Sequence, residues 1–278
     1  MKCALLLVGW LAAASASAAM EPAELKRLLG EIGKWQFAPV ERFLAENRAA
    51  MGRDPEYFVV LLNFVLSKGE RSGVVVARGS PGEGDYGLSQ NGKPVGFLGP
   101  GKTYDEALIL DGIARVRAAL PSFRARLDIH LGLLAAAERI RRWDVVGEQC
   151  VAILKLSREI DNHWTWGATG SMGADPRKFM LDNIQGRAEM LFQQEDAKAD
   201  QAFLDISNAL VNGYPELIYG YNDLGTMFLL RKDFANAEKF LRQAERIDRH
   251  DEVVQRNLAK LEQMLRTMRC WPGWGSPR

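Results

Sequence analysis

Residues 96 to 103 read GFLGPGKT and satisfy the pattern G-x-x-x-x-G-K-[ST], in which backbone amides and a lysine cradle the phosphates of a nucleotide. In such a loop Lys102 would be the lysine that meets the phosphates. The chemistry depends on what surrounds it: a buried parallel strand must lead in and a helix must open, so that amides and helix dipole converge on phosphate. Here Asn91, Gly92, Lys93, Pro94 and Val95 precede the string, a turn and a proline where no buried strand fits. Ala107 to Asp111, ALILD, imitates the acidic strand that accompanies such loops, yet it falls in the same predicted helix that follows Thr103. Nucleotide binding is disfavoured, and Gly99, Pro100 and Gly101 read as a turn out of a hairpin with Thr103 capping the next helix.

Other residues capable of chemistry are scattered. The three histidines, His130, His163 and His250, stand at no metal-ligand spacing, and neither H-E-x-x-H nor G-x-S-x-G occurs. No catalytic constellation emerges, so the expectation is a protein that is not an enzyme and that uses no cofactor and no metal. The most unusual stretch is DNHWTWGATGSMG, residues 161 to 173. In an extended segment Trp164 and Trp166 would face the same side. Two readings stay open for them: an aromatic lid over a hydrophobic seam, or a platform for a peptide or a sugar ring.

The elements that must position these residues are mostly helical. Met1 and Lys2 lead into ALLLVGWLAA and then a run of small residues ending near Ala18, which predicts a secretory signal peptide over 1–19 and a periplasmic protein. The apolar run is shorter than the ~20 residues needed to span a bilayer, so no membrane span is expected. Loss of Lys2 with that leader turns 36 basic against 35 acidic residues into equality, which argues against non-specific binding to nucleic acid or anionic lipid. Beyond the leader stand Cys150, in a helical pattern, and Cys270, in a polar tail. A disulfide between them and a buried thiol at Cys150 both remain open.

Residues 20–70 predict helices that start near prolines, with Asp54 as a cap, Pro55 in the first turn and Gly69 at the end. Residues 71–101 are glycine-rich with β-branched runs around Asn91-Gly92, which predicts a small hairpin or three-stranded ribbon near 73–98. From 102 to 268 the segments read as helices in antiparallel pairs, with Thr103 and Glu106 as a capping box and Met180, Ile184, Ala188 and Leu191 on one face. Residues 269–278 read as a flexible tail.

Tyr221, Leu224, Gly225 and Phe228, followed by Ala237, Leu241 and Ala244, carry a resemblance to the tetratricopeptide repeat (TPR) family, whose two helices place aromatic, Leu-Gly, aromatic and then Ala, large, Ala at these spacings. Residues 218 to 251 resemble one repeat. The pairs at 127–160 and 175–213 are similar to more divergent copies, and 252–268 to the solvated closing helix such stacks need. Arg249 departs from the family's proline, and Asp248 or Asp251 would cap the next helix instead. The resemblance implies a non-catalytic scaffold that holds a protein or peptide in the cell envelope. It places Tyr219, Asn222 and Thr226 of one helix and Arg256 and Lys260 of the next on the binding face. Asn222, Arg256, Asn257 and Lys260 partly resemble the clamp that chaperone-binding members close on a terminal carboxylate. The rival is a glycan-binding or glycan-processing envelope protein that uses Trp164 and Trp166.

Overall fold

The computed structural model describes residues 19–77, 86–167, 170, 172 and 175–269. The expected leader lies outside them except Ala19, as does Cys270 with the rest of the tail. Helices α1 (Pro22–Gly33), α2 (Phe37–Glu46) and α3 (Pro55–Gly69) open the described chain. Pro22 and Pro55 occupy first turns, where a missing N–H goes unneeded, and Asp54 Oδ1 accepts from the Glu56 amide at 2.9 Å. Helix α3 buries Tyr57, Val60, Leu61 and Val65, and α4 (Glu106–Ala119) and α5 (Leu127–Arg139) pack on it.

Between α3 and α4 runs the ribbon: β1 (Glu70–Ala77), β2 (Tyr86–Gln90) and β3 (Lys93–Tyr104), ordered β1-β3-β2 and antiparallel throughout. Asn91 and Gly92 turn β2 into β3 with φ of 53° and 74°, as a tight primed turn requires. The ribbon is longer than the expected 73–98, and Gly99, Pro100 and Gly101 are no turn. They continue β3, with Pro100 opposite Val74 and Gly101 opposite Gly73. Among the described residues strand β3 has β1 alone as a neighbour beyond Leu98, so Pro100 withholds no amide from a second described partner. Thr103 sits in the strand opposite Arg71, and the cap of α4 is Asp105, whose carboxylate accepts from the Leu108 amide at 3.0 Å. The phosphate-loop string therefore lies extended in an antiparallel ribbon. Its Lys102 reaches back to Glu70 on β1, Nζ to Oε1 2.6 Å.

The rest is helix. A 3₁₀ turn at Leu120–Phe123 leads into α5, followed by α6 (Trp143–Glu159), α7 (Pro176–Phe192), α8 (Ala197–Gly213), α9 (Tyr219–Leu230), α10 (Phe234–Ile247) and α11 (Glu252–Arg269). The molecule is mostly α-helical, built of stacked antiparallel helix pairs with a small ribbon. Met180, Ile184, Ala188 and Leu191 are buried as the spacing predicts. Gly225 lets α9 and α10 cross closely, since a Cβ there would meet Leu241 Cγ at 2.6 Å. Asp251 caps α11 by accepting from the Val254 amide at 2.9 Å, while Asp248 only turns the chain at His250.

One local device recurs. Arg141 before α6 and Lys232 before α10 have positive φ, and the next amides, of Arg142 and Asp233, each donate five residues back, to Ala137 and Phe228, at 2.9 Å. This is the Schellman closure, here with no glycine. Trp35 and Gln36 do the same between α1 and α2, where the Gln36 amide donates to Glu31 at 3.0 Å. At these three an aromatic residue, Phe37, Trp143 or Phe234, opens the second helix, while a fourth closure, at Asp161 with the Asn162 amide donating to Ser157, ends α6.

Candidate partner-binding surface

Three polar ties cross from one first helix to the next. Arg187 Nε on α7 lies 2.8 Å from Glu138 Oε1 on α5. Gln185 Nε2 on α7 donates to Asp223 Oδ1 on α9 at 3.4 Å. Asn257 Nδ2 on α11 donates to Asn222 Oδ1 at 2.8 Å and to Thr226 Oγ1 at 3.1 Å, both on α9. The helices α5, α7, α9 and α11 are thereby linked in sequence on one side.

The structure brings Asn222 and Thr226 together through Asn257, and Thr226 Oγ1 also donates to the Asn222 carbonyl at 2.8 Å. Tyr219, Asn222 and Thr226 follow one helix face by spacing, with Tyr219 half-buried against the core. Arg256 and Lys260, one turn apart, are exposed on α11. The residue that sequence reasoning missed is Asp223. It is 6% exposed, and burial, the largest influence, pushes its carboxyl up to about 7; the Gln185 amide counteracts this and the Glu189 charge adds to it. Asp223 Oδ2 and Gln185 Oε1 are both buried without a hydrogen-bond partner. An acid within a helical repeat reads from sequence as solvated surface, so nothing marked it.

Trp164 and Trp166, on the segment between α6 and α7, differ in burial. Trp164 is 4% exposed, donates from Nε1 to Ser157 Oγ at 2.9 Å and stands edge-on to His130 with ring centroids 5.5 Å apart. It seals the seam and presents no ring to a ligand. The segment is anchored by local bonds, the Asn162 amide donating to Ser157 O at 2.7 Å and Thr165 N to Ala125 O at 2.8 Å, the latter part of a parallel bridge between Thr165 and Arg126. Trp166 is 38% exposed and sets its ring edge-on to Phe179 of α7 at 5.5 Å.

The residues around Trp164 are fully paired. His130 and Gln149 are buried; His130 Nε2 bonds the Arg124 carbonyl at 2.8 Å and Nδ1 the Gln149 amide nitrogen at 2.8 Å, which fits a neutral ring with its proton on Nε2. Burial holds this imidazole below its ordinary range, against the pull of the Arg124 carbonyl and Asp128. Nearby, Arg126 joins Glu56 on α3 and Asp128 on α5 at 2.8 and 2.7 Å. Cys150 is a free, buried thiol, pushed up to about 12 by burial. Among the described residues no group of three or more His, Cys, Asp or Glu is placed to hold a metal ion, and no helix is long and apolar enough to cross a membrane.

Neither a family model nor a curated protein matches the chain. A solved structure that matches it is that of BtubC (BKLC) from P. vanneervenii, at 14% identity over 91% of this chain and 95% of that one, with a TM-score of 0.29. An overlap at that score carries neither fold nor function across.

Proposed function

We propose that this chain is a non-catalytic scaffold of the TPR-like kind that holds a protein or peptide segment of the cell envelope across α7, α9 and α11. The observation that carries this reading is the pair of buried, unpartnered acceptors, Asp223 Oδ2 and Gln185 Oε1, beside the Asn222, Thr226 and Asn257 cluster. A buried acceptor without a donor is destabilising by roughly 1–3 kcal/mol. A peptide N–H or a basic side chain laid along this face would supply the donor, and Tyr219, Arg256 and Lys260 would flank it. The closed turns between helices hold such a face rigid, which lowers the entropic cost of binding.

The test is selection of peptides on the immobilised folded chain, followed by titration against Asn222→Ala, Asp223→Ala and Arg256→Ala. The reading expects at least about tenfold weaker binding in one of them, equivalent to ~1.4 kcal/mol. Equal binding to all would reject the face. The half-exposed Trp166–Phe179 pair favours a second reading, an oligosaccharide platform. It predicts glycan binding that vanishes in Trp166→Ala and persists in Asn222→Ala.

A further inference from the structure

Where α11 packs on α10, the two helices leave a hollow of about 760 Å³, walled by Phe234 at the start of α10 and by Met264 and Met268 of α11. The three apolar side chains are half-buried, and Phe234 and Met264 rest on the small cluster of Val254, Leu258 and Leu261 that fixes α11. Lys260, Met264 and Met268 follow one another four residues apart, a stripe on one face of the helix that is about 12 Å long. Two unbranched, adaptable side chains along such a stripe suit an aliphatic chain. Lys232 and Lys260 stand at the rim, both exposed. Among the described residues no carboxylate lines the hollow and neither ammonium group has an ion pair.

We propose that this hollow binds a single-chain anionic amphiphile, its aliphatic chain against Phe234, Met264 and Met268 and its head group, a carboxylate or a phosphate, paired with Lys232 and Lys260. The volume falls within the roughly 300–1,000 Å³ of small-molecule sites, in which a mostly apolar lining meets a few polar groups. Seven described residues line it, against the roughly 20–30 that each side of a stable protein interface supplies. That disfavours a second copy of the chain or a folded partner as the occupant. The charge of the rim selects an anion, because it offers two unpaired ammonium groups and no acid. Lysine suits either head group, since its ammonium acts as a compact point charge without the fork geometry of arginine. This site goes beyond the scaffold reading, which rests on Asp223 and Gln185, and it stands whether or not the α7–α9–α11 face binds a partner.

Calorimetric titration of the full folded chain tests it, with octanoate, decanoate and dodecanoate below their micellar concentrations, decyl phosphate for the other head group, and decyltrimethylammonium as the cationic control. The expected result is one saturable site that tightens about fourfold for each added methylene and binds the cationic chain at least about tenfold more weakly. Lys232→Glu/Lys260→Glu should weaken decanoate at least about tenfold, while Lys155→Glu, the same charge change at an exposed position of α6, should leave it unchanged. The tighter head group distinguishes a fatty acid from a phosphate-headed lipid. In the wild type, the methyl NMR signals of Met264 and Met268, assigned by Met264→Leu and Met268→Leu, should move with decanoate while that of buried Met180 stays in place. That places the site even where the charge variant fails to fold. Absence of binding, equal binding of both charges, or binding indifferent to the lysine pair overturns the proposal. So do methyl signals that ignore decanoate and move with protein concentration, which would give the hollow to a second copy.

Discussion

Two of the buried polar centres among the described residues differ in one respect. Around His130, between α5 and α6, ring nitrogens, Gln149, Ser157 and the Trp164 indole all have partners. Around Asp223, between α7 and α9, one carboxyl oxygen and one amide oxygen have none. His130, Gln149, Ser157, Trp164 and Asp223 are buried and Gln185 is half-buried, so the difference lies chiefly in completion. A completed network fixes one packing and has nothing left to offer, while an incomplete one keeps a penalty that a ligand can remove. On that ground we assign the first centre to holding the fold and the second to the face that receives a partner.

The strongest way to break the comparison is to remove Trp164. Trp164→Ala empties a packed seam and strips Ser157 of a donor, and thermal or urea unfolding should show a loss of about 3–5 kcal/mol. A loss below 1 kcal/mol would mean that the segment is not sealed as described. Asp223→Asn should act in the opposite direction. The new amide can donate to Gln185 Oε1, and no charge is left to bury, so a gain of about 1–3 kcal/mol is expected near pH 8. A destabilised variant would show that Asp223 is already satisfied.

The pH dependences sharpen the contrast because their signs oppose. The folded-state proton affinity of Asp223 is raised, so the folded chain binds the extra proton between about pH 4 and 7. Its contribution to stability falls as pH rises through that window. That of His130 is lowered, so the unfolded chain binds the extra proton below about pH 6.5, and its contribution is complete above that value and lost as pH falls. Urea midpoints measured from pH 4 to 8 in Asp223→Asn and His130→Gln should change slope in opposite senses relative to wild type. Equal changes would remove the distinction. The smallest effect belongs to Lys102→Ala. Its partner Glu70 is a cross-strand ion pair on the ribbon, so the melting midpoint should move little, and magnesium ATP should raise it in neither protein.

Some of this was legible in the residues and some was not. The helix starts at Asp54-Pro55 and Asp175-Pro176 follow from local chemistry that no tertiary contact overrides. In the helix pair at 127–160, whose packing residues by the repeat resemblance are Leu133, Ala137, Trp143, Val146, Cys150 and Ile153, all six are buried. Gly99-Pro100-Gly101 misled because a proline is acceptable in a strand segment with one neighbour, and only the register shows which segment that is. The Schellman closures at Trp35, Arg141 and Lys232 left no mark in the sequence because in none of them is the residue in left-handed conformation a glycine, the usual signal. For the site, Asn222 and Thr226 were read from the repeat spacing, but Asp223 and Gln185 lie 38 residues apart and meet only once α7 and α9 are packed. The spacing of Trp164 and Trp166 carried no information on burial, which is set by the contacts of Trp164 with Ser157 and His130 across the seam.

The central claim is that the linked first helices receive a protein partner, and site-specific photo-cross-linking in cells tests it most directly. A cross-linking residue at position 256 on α11 is compared with one at position 155, exposed on α6, each in an otherwise wild-type chain and again with Asn222→Ala. The account predicts one discrete protein adduct from 256, identified by mass spectrometry, weakened by Asn222→Ala and absent from 155. Adducts that are the same from both positions, or none from 256 while a control complex is captured, would contradict it.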